Sequence, residues 1–451
     1  MGRVYMLKRE ISATFVGLAA STILSNGTAI ILARFLGPAN RGLLALALLV
    51  PTIAATLCRL GQETVNATFA GLYKDKRYSL FLQSIIIAII GGLISVLIVL
   101  AFFLWLPIAR GQFKQLTPTM VYLACLVAPM SIMDTLMVGL LRGVGRIITA
   151  AKISVIRSAF RLTLAALFIM LLGYRLQFSI FLAVISSFVS VALSVWALRP
   201  YATLRLSYFS PKLFKKSLGF GSIVCLTTIV GLLIYRLDQG ILGYMVSAEE
   251  VGLYVVAVAF AEQLRMLPAA ISSAFLSRLA NELETRQAQV PAVFRYSMVV
   301  STGAMLMMAV LGAPAILLLF GRAYSGSISP FLILLPGIAA LGGASILSSD
   351  LLARGKPQYS IIWSCSGLCV NVILNLLLIP IIGIIGAALA STITYIFTCS
   401  LTLLFYHRES RTTLEEMIPR REDCIFVLSS SVEMVRQRLQ RILCKRSEKN
   451  Q

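Results

Sequence analysis

Twelve apolar stretches, each about long enough to cross a membrane, decide what this chain can become. They run roughly over residues 11–33, 42–61, 80–106, 118–141, 151–172, 178–198, 217–243, 251–273, 296–320, 328–350, 360–381 and 383–406. A helix of ~20 apolar residues spans a hydrocarbon core of ~30 Å. Lipid offers no partner for backbone polar groups, so only helices and closed barrels cross it. Barrel strands alternate apolar and polar residues, and these runs do not. Only 13% of the 451 residues are charged, against about 25% in a soluble domain, and the mean hydropathy is +0.89. The expected fold is all-α: a polytopic membrane protein of about 12 transmembrane helices. The first run is full length with no small-residue cleavage site, so it reads as a helix rather than a cleavable signal.

The net charge of +22 invites a nucleic-acid reading, and its distribution argues against one. With the N-terminus in the cytoplasm, 29 of the 40 Lys and Arg fall in inner segments and 6 in outer loops. That asymmetry obeys the positive-inside rule and puts both termini in the cytoplasm. Arg34 and Arg41 count among the outer-loop charges. Five arginines fall within the apolar stretches themselves: Arg59, Arg157, Arg161, Arg236 and Arg265.

The chain repeats itself. ILARFLGPANRGLLALALL (31–49), slid by 210 residues, puts Ile31, Leu32, Gly42 and Leu43 on Ile241, Leu242, Gly252 and Leu253. Arg142-Gly143 returns 212 residues later as Arg354-Gly355. The expected organisation is a parallel repeat: an N-terminal lobe of helices 1–6 (1–198), a basic cytoplasmic linker (199–216), a C-terminal lobe of helices 7–12 (217–406) and a basic tail (407–451). In the tail, Leu428, Val432, Val435, Leu439 and Ile442 recur at helical spacing beside arginines. This predicts an amphipathic helix on the anionic inner leaflet.

Ionisable groups at membrane depth are costly and mark function by default. Arg157 and Arg161 lie four apart, on one helical face, and two stacked arginines require an anion or carboxylates opposite. Arg236 and Asp238 are two apart, about 200° round the helix, so each needs its own partner. Glu262 and Arg265 are three apart and suit either an intrahelical pair or a cavity wall. Arg59 and Glu63, and Asp350 and Arg354, have ion-pair spacing. Asn26 falls near Arg236 in the repeat and makes the charge unequal between halves. Several of these arginines also have a plainer reading, in which the side chain snorkels to the headgroups.

Absences narrow the chemistry. There is no phosphate-binding Gly-x4-Gly-Lys-Ser/Thr loop. The one histidine is His407, so histidine-based acid–base or metal chemistry inside the membrane is not expected. The eight cysteines sit mostly in apolar runs as small hydrophobes. No metal or cofactor is expected, and the short outer loops leave no room for an extracytoplasmic catalytic domain.

The stretches ARFLGPANRGLLALALLVPT and YRLDQGILGYMVSAEEVGLYVVAVAFAEQL resemble the polysaccharide-biosynthesis flippases of the O-antigen or lipid-linked oligosaccharide type. These belong to the multidrug/oligosaccharidyl-lipid/polysaccharide export superfamily. The resemblance covers residues 8–406. It implies a non-enzymatic transporter in the bacterial inner membrane that moves a polyprenyl-pyrophosphate-linked saccharide by alternating access, for lipopolysaccharide or exopolysaccharide synthesis. It implies cavity residues Arg157, Arg161, Arg236 and Arg265. Asp238, Glu262 and Asn26 would be structural or would couple a proton or cation, and a polysaccharide polymerase would be a partner. Two other readings stand beside it. A cation-coupled drug antiporter should have carboxylates dominating its cavity, where this chain has arginines. A membrane polymerase or glycosyltransferase of the same pathway needs a long outer loop or a carboxylate-rich inner site.

Overall fold

The computed structural model describes residues 2–104, 111–171, 176–202, 205–268, 271, 283–354, 356–410, 412–423 and 425. Among them every regular element is helical. The long helices are α1 (Gly2–Cys58), α2 (Gln62–Leu72), α3 (Arg77–Leu104), α4 (Pro118–Gly143), α5 (Ile147–Leu164), α6 (Leu176–Ala197), α7 (Pro211–Met245), α8 (Ala248–Ala261), α9 (Leu283–Phe320), α10 (Ile328–Ala353) and α11 (Pro357–Ser410).

Two of these helices are broken, and each break falls where the sequence places an outer turn. Gly37 has φ +74° and ψ 169° inside α1. Gly383 has φ +57° inside α11, beside Ile382. A side chain with a Cβ resists both conformations, so glycine lets the chain turn there without a long loop. Counting α1 and α11 as two crossings each accommodates all twelve apolar stretches. Nine helical segments among the described residues are long and apolar enough to span a membrane. The chain is a multi-pass membrane protein. The α3 surface agrees: Ile89, Leu93 and Leu97 are exposed, which suits side chains facing lipid.

By its internal contacts the chain forms two compact units. The first comprises Met1–Val256, Ala315–Ser327 and Leu374–Ala387. The second comprises Ala257–Pro314, Ile328–Ile373 and Ala388–Gln451. This grouping differs from the six-and-six division of the sequence repeat, because α7 packs on α1 and α2. In the first unit α1 packs on α5, α3 and α6 pack on α4, and α2 packs on α4. Leu80, Ile132, Leu136, Met137, Leu140 and Ile153 form part of its core. The core of the second unit gathers Phe294, Leu347, Leu351, Trp363 and Tyr406.

The repeat is also visible as a reciprocal contact within the first unit. A Cβ on Gly42 would collide with the carbonyl oxygen of Ala248, and a Cβ on Gly252 with that of Pro38. Pro38 and Ala248 are themselves 210 residues apart, like Gly42 and Gly252. Small residues let two backbones approach this closely. A second matched pair lies nearby. The Tyr324 hydroxyl donates to the Ala33 carbonyl at 2.8 Å, and a Cβ on Gly243, 210 residues after Ala33, would meet Leu46 at 2.5 Å and Phe113 at 3.2 Å.

At the start of the tail, α11 runs to Ser410, and the chain that follows docks on α9. Arg295 Nε meets Asp423 Oδ2 at 2.8 Å, Arg295 Nη1 donates to the Glu416 carbonyl at 2.6 Å, and Met417 is buried in the second unit's core. The predicted amphipathic helix at 428–442 lies outside the described residues.

Candidate functional site

Arg157 and Arg161 stand on one face of α5, as their spacing requires. Both line a chamber of about 300 Å³ in the first unit, with Ser25, Thr52, Ser131, Ser158, Ser186 and Ser187 among the other walls. The two arginines then part company. Arg157 Nη1 is paired with Asp134 Oδ2 across from it on α4. Asp134 is buried, and its other oxygen accepts from Ser190 Oγ at 2.5 Å. The carboxylate that two stacked arginines require is thus present, and Arg157 takes it. The Arg161 Nε is enclosed and has no hydrogen-bond partner. The charges acting on Arg161 are Arg41 and Arg157, both of its own sign. Just past Arg161, α5 passes into a π-helical turn over Ala165–Leu171. Such turns interrupt helices often at functional sites.

Arg41 is the residue that sequence reasoning missed. Hydropathy starts the second apolar stretch at Gly42, which leaves Arg41 in an outer loop. The structure resumes the helix directly after Gly37, so Arg41 sits within the helix. Its Nε is buried without a hydrogen-bond partner. Arg236 is a like charge that acts on it. A usable signal existed: Arg41 directly precedes one of the repeat glycines, where the chain must pack against another backbone.

Arg236 is half-buried on α7, and through Arg41 it joins the arginines of the first unit. Asp238 is 1% exposed; its carboxylate accepts from the Tyr254 hydroxyl on α8 and, at 2.7 Å, from the Gln239 backbone N–H. These bonds tie α7 to α8. Asn26 is half-buried on α1. Glu262 and Arg265 form a short 3₁₀ turn after α8, which belongs to the second unit, and both are half-buried.

The other charged pairs are local. Arg59 and Glu63 pair at 3.3 Å. Arg354 Nε meets Asp350 at 2.6 Å and its Nη2 donates to the Tyr406 hydroxyl at 3.1 Å. Among the described residues no group of histidine, cysteine and carboxylate side chains could hold a metal ion. What the first unit offers chemically is several guanidinium groups beside hydroxyl-lined space; the Nε groups of Arg41, Arg59 and Arg161 are enclosed without a hydrogen bond, and of these three Arg59 is ion-paired with Glu63. Uncompensated buried charge of one sign calls for an ion of the other.

Comparison with known proteins places this geometry in context. Among solved structures, an inward-facing multidrug resistance MATE family transporter of the MOP superfamily aligns with a TM-score of 0.72 at 16% identity, over 88% of this chain and 98% of that one. The lipid II flippase MurJ, in an inward closed conformation, aligns at 0.73 and 15% identity, over 92% and 90%. A MOP superfamily transporter from Pyrococcus furiosus, described as having a binding pocket of reverse polarity, aligns at 0.55 and 17%, over 89% and 95%. At these identities the likeness shows the fold. No curated protein matches the sequence significantly. The sequence profile of the polysaccharide biosynthesis protein family matches residues 7–279. With that match covering more than half its length, the chain belongs to the polysaccharide biosynthesis protein family.

Proposed function

We propose that this protein is a flippase moving a polyprenyl-pyrophosphate-linked saccharide across the bacterial inner membrane by alternating access, for cell-surface polysaccharide synthesis. The observation that carries the reading is the pair of enclosed, unbonded guanidinium nitrogens on Arg41 and Arg161, each under the influence of further arginines. A pyrophosphate diester brings two negative charges and several acceptor oxygens, and guanidinium groups grip such oxygens bidentately. Arg41, Arg161 and Arg236 would hold it in the first unit. Family membership supports a polysaccharide cargo, and the fold shared with a lipid II flippase supports a lipid-linked one. Two lobes related by the sequence repeat would supply the rocking motion.

A cation antiporter would need carboxylates poised to exchange ions. The two buried carboxylates of the first unit's inner helices, Asp134 and Asp238, are hydrogen-bonded to Arg157 and Ser190 and to Tyr254. That weighs against the antiporter.

The test is complementation in cells lacking the protein. Arg161→Gln and Arg41→Gln should each abolish surface polysaccharide while leaving membrane insertion intact. Arg161→Lys should be partly active, since lysine keeps the charge and loses the fork. Wild-type polysaccharide from both Gln variants would end the reading.

A further inference from the structure

We propose that the chamber inside the first unit is a subsite for one singly charged, hydroxyl-rich group: the first sugar of the cargo with the phosphate that carries it. This rests on the flippase reading and deepens it. Three observations support it, and they are size, lining and charge.

The chamber holds about 300 Å³ and is walled by residues of α1, α4, α5 and α6. That is the small end of ligand pockets, which run from about 300 to 1,000 Å³. It has room for one ring and one phosphate, and because it is partly open the rest of the cargo would lie outside it. Its lining is dominated by hydroxyls. Ser25, Thr52, Ser131, Ser158, Ser186 and Ser187 all contribute. A hydroxyl donates once and accepts twice. Thr52 already donates to the Leu48 carbonyl at 2.6 Å and Ser186 to the Ala183 carbonyl at 3.2 Å. Their oxygens therefore retain lone pairs for hydroxyl donors, and sugar hydroxyls are such donors.

Charge completes the match. Two guanidinium groups line the chamber, and Asp134 neutralises one of them through its pair with Arg157. Ser190 fixes the Asp134 carboxylate from its other oxygen, so that neutralisation is held in place. Arg161 is left as the chamber's uncompensated cation. In a lipid–pyrophosphate–sugar, the phosphate next to the sugar is esterified to it, is joined to the second phosphate by an anhydride bond, and carries one negative charge, the charge that a methyl diester of a sugar phosphate reproduces. One free arginine fits one such phosphate. Asp134 is then a specificity-determining residue: without it the chamber carries two free cations and favours multiply charged anions.

The experiment uses the purified full-length protein and measures binding of methyl diesters of hexose 1-phosphates. Dimethyl phosphate, methyl glucoside and inorganic pyrophosphate serve as comparison probes. The wild type should bind one sugar diester ~10-fold or more tighter than dimethyl phosphate, the gain expected from one or two extra hydrogen bonds. Arg161→Gln should lose both. Ser187→Leu and, on another wall, Ser131→Leu should lose the sugar preference yet keep dimethyl phosphate binding, which also reports that each variant is folded. Asp134→Asn should shift preference toward pyrophosphate, and the double variant Asp134→Asn/Arg157→Gln should restore the wild-type order. A sugar diester bound no better than dimethyl phosphate, or a preference unchanged in both leucine variants, overturns the subsite. So does an Asp134→Asn variant that the second substitution does not correct. Each of these can occur while Arg161→Gln still abolishes export, so failure of the subsite is distinguishable from failure of the flippase reading.

Discussion

Single residues in this protein divide into charges that have partners and charges that await one. Arg157 belongs to the first group and Arg161 to the second, although they are one helical turn apart. Sequence spacing put them on one face and required a counter-charge. It could not say which arginine would take it, because Asp134 lies on another helix. Asp238 shows the same limit. Sequence spacing said that Asp238 needs a partner, but the Tyr254 hydroxyl that donates to it was not legible. The Asp238–Tyr254 bond yields a prediction. Tyr254 is fully buried, and Tyr254→Phe keeps its volume while removing the donor to a buried carboxylate. The variant should lose about 1–3 kcal/mol of stability, read as a lower melting temperature in detergent. An unchanged melting temperature would show that another donor replaces the phenol.

Whole elements are governed by close approach. Gly42 and Gly252 occupy matched positions of the repeat, and each presses on the backbone opposite the other. Gly42→Val and Gly252→Val should therefore cut the yield of monodisperse protein to a similar degree. Gly231→Ala should be tolerated, since nothing lies within 4 Å of a Cβ there. Size-exclusion profiles of the three variants check this, and a tolerated Gly42→Val would refute the contact. The tail's dock on α9 is a second such element, and it escaped the sequence because it depends on one long-range pair. Burial raises the Asp423 carboxyl, but the Arg420 N–H and the Arg295 guanidinium outweigh it and hold it below the usual carboxylate range. A carboxylate whose folded pKa is depressed stabilises above its ordinary pKa. That contribution is lost as pH falls through the folded value. Truncation after Arg411 should accordingly lower the melting temperature at neutral pH. Arg295→Gln should reproduce part of the loss, and the gap between full-length and truncated protein should narrow in strong acid.

At the scale of the whole molecule the membrane does most of the specifying. Lipid cannot satisfy a backbone, so each long apolar run had to be a helix, and twelve of them could be placed before any contact was known. The grouping of helices into compact units was less legible, since packing between apolar faces leaves no pattern that hydropathy can read. Orientation follows from charge, and it gives the last prediction. An even number of crossings puts both termini on one side. The basic residues, 29 against 6 in this arrangement, predict that this side is the cytoplasm. Shifting the count by one helix would mix the basic loops with the neutral ones, and the two sets stay separate. Reporter fusions at the N-terminus and after Ser410 should therefore give cytoplasmic signals. Fusions at Glu249–Glu250, in the first turn of α8, and in the Gly321–Gly326 segment after α9, should report outside. These two sites probe different halves of the α7–α10 run, so an error in either half shows as one discordant fusion. An extracytoplasmic signal from the fusion after Ser410 would mean an odd number of crossings, and the twelve-helix arrangement would fall with it.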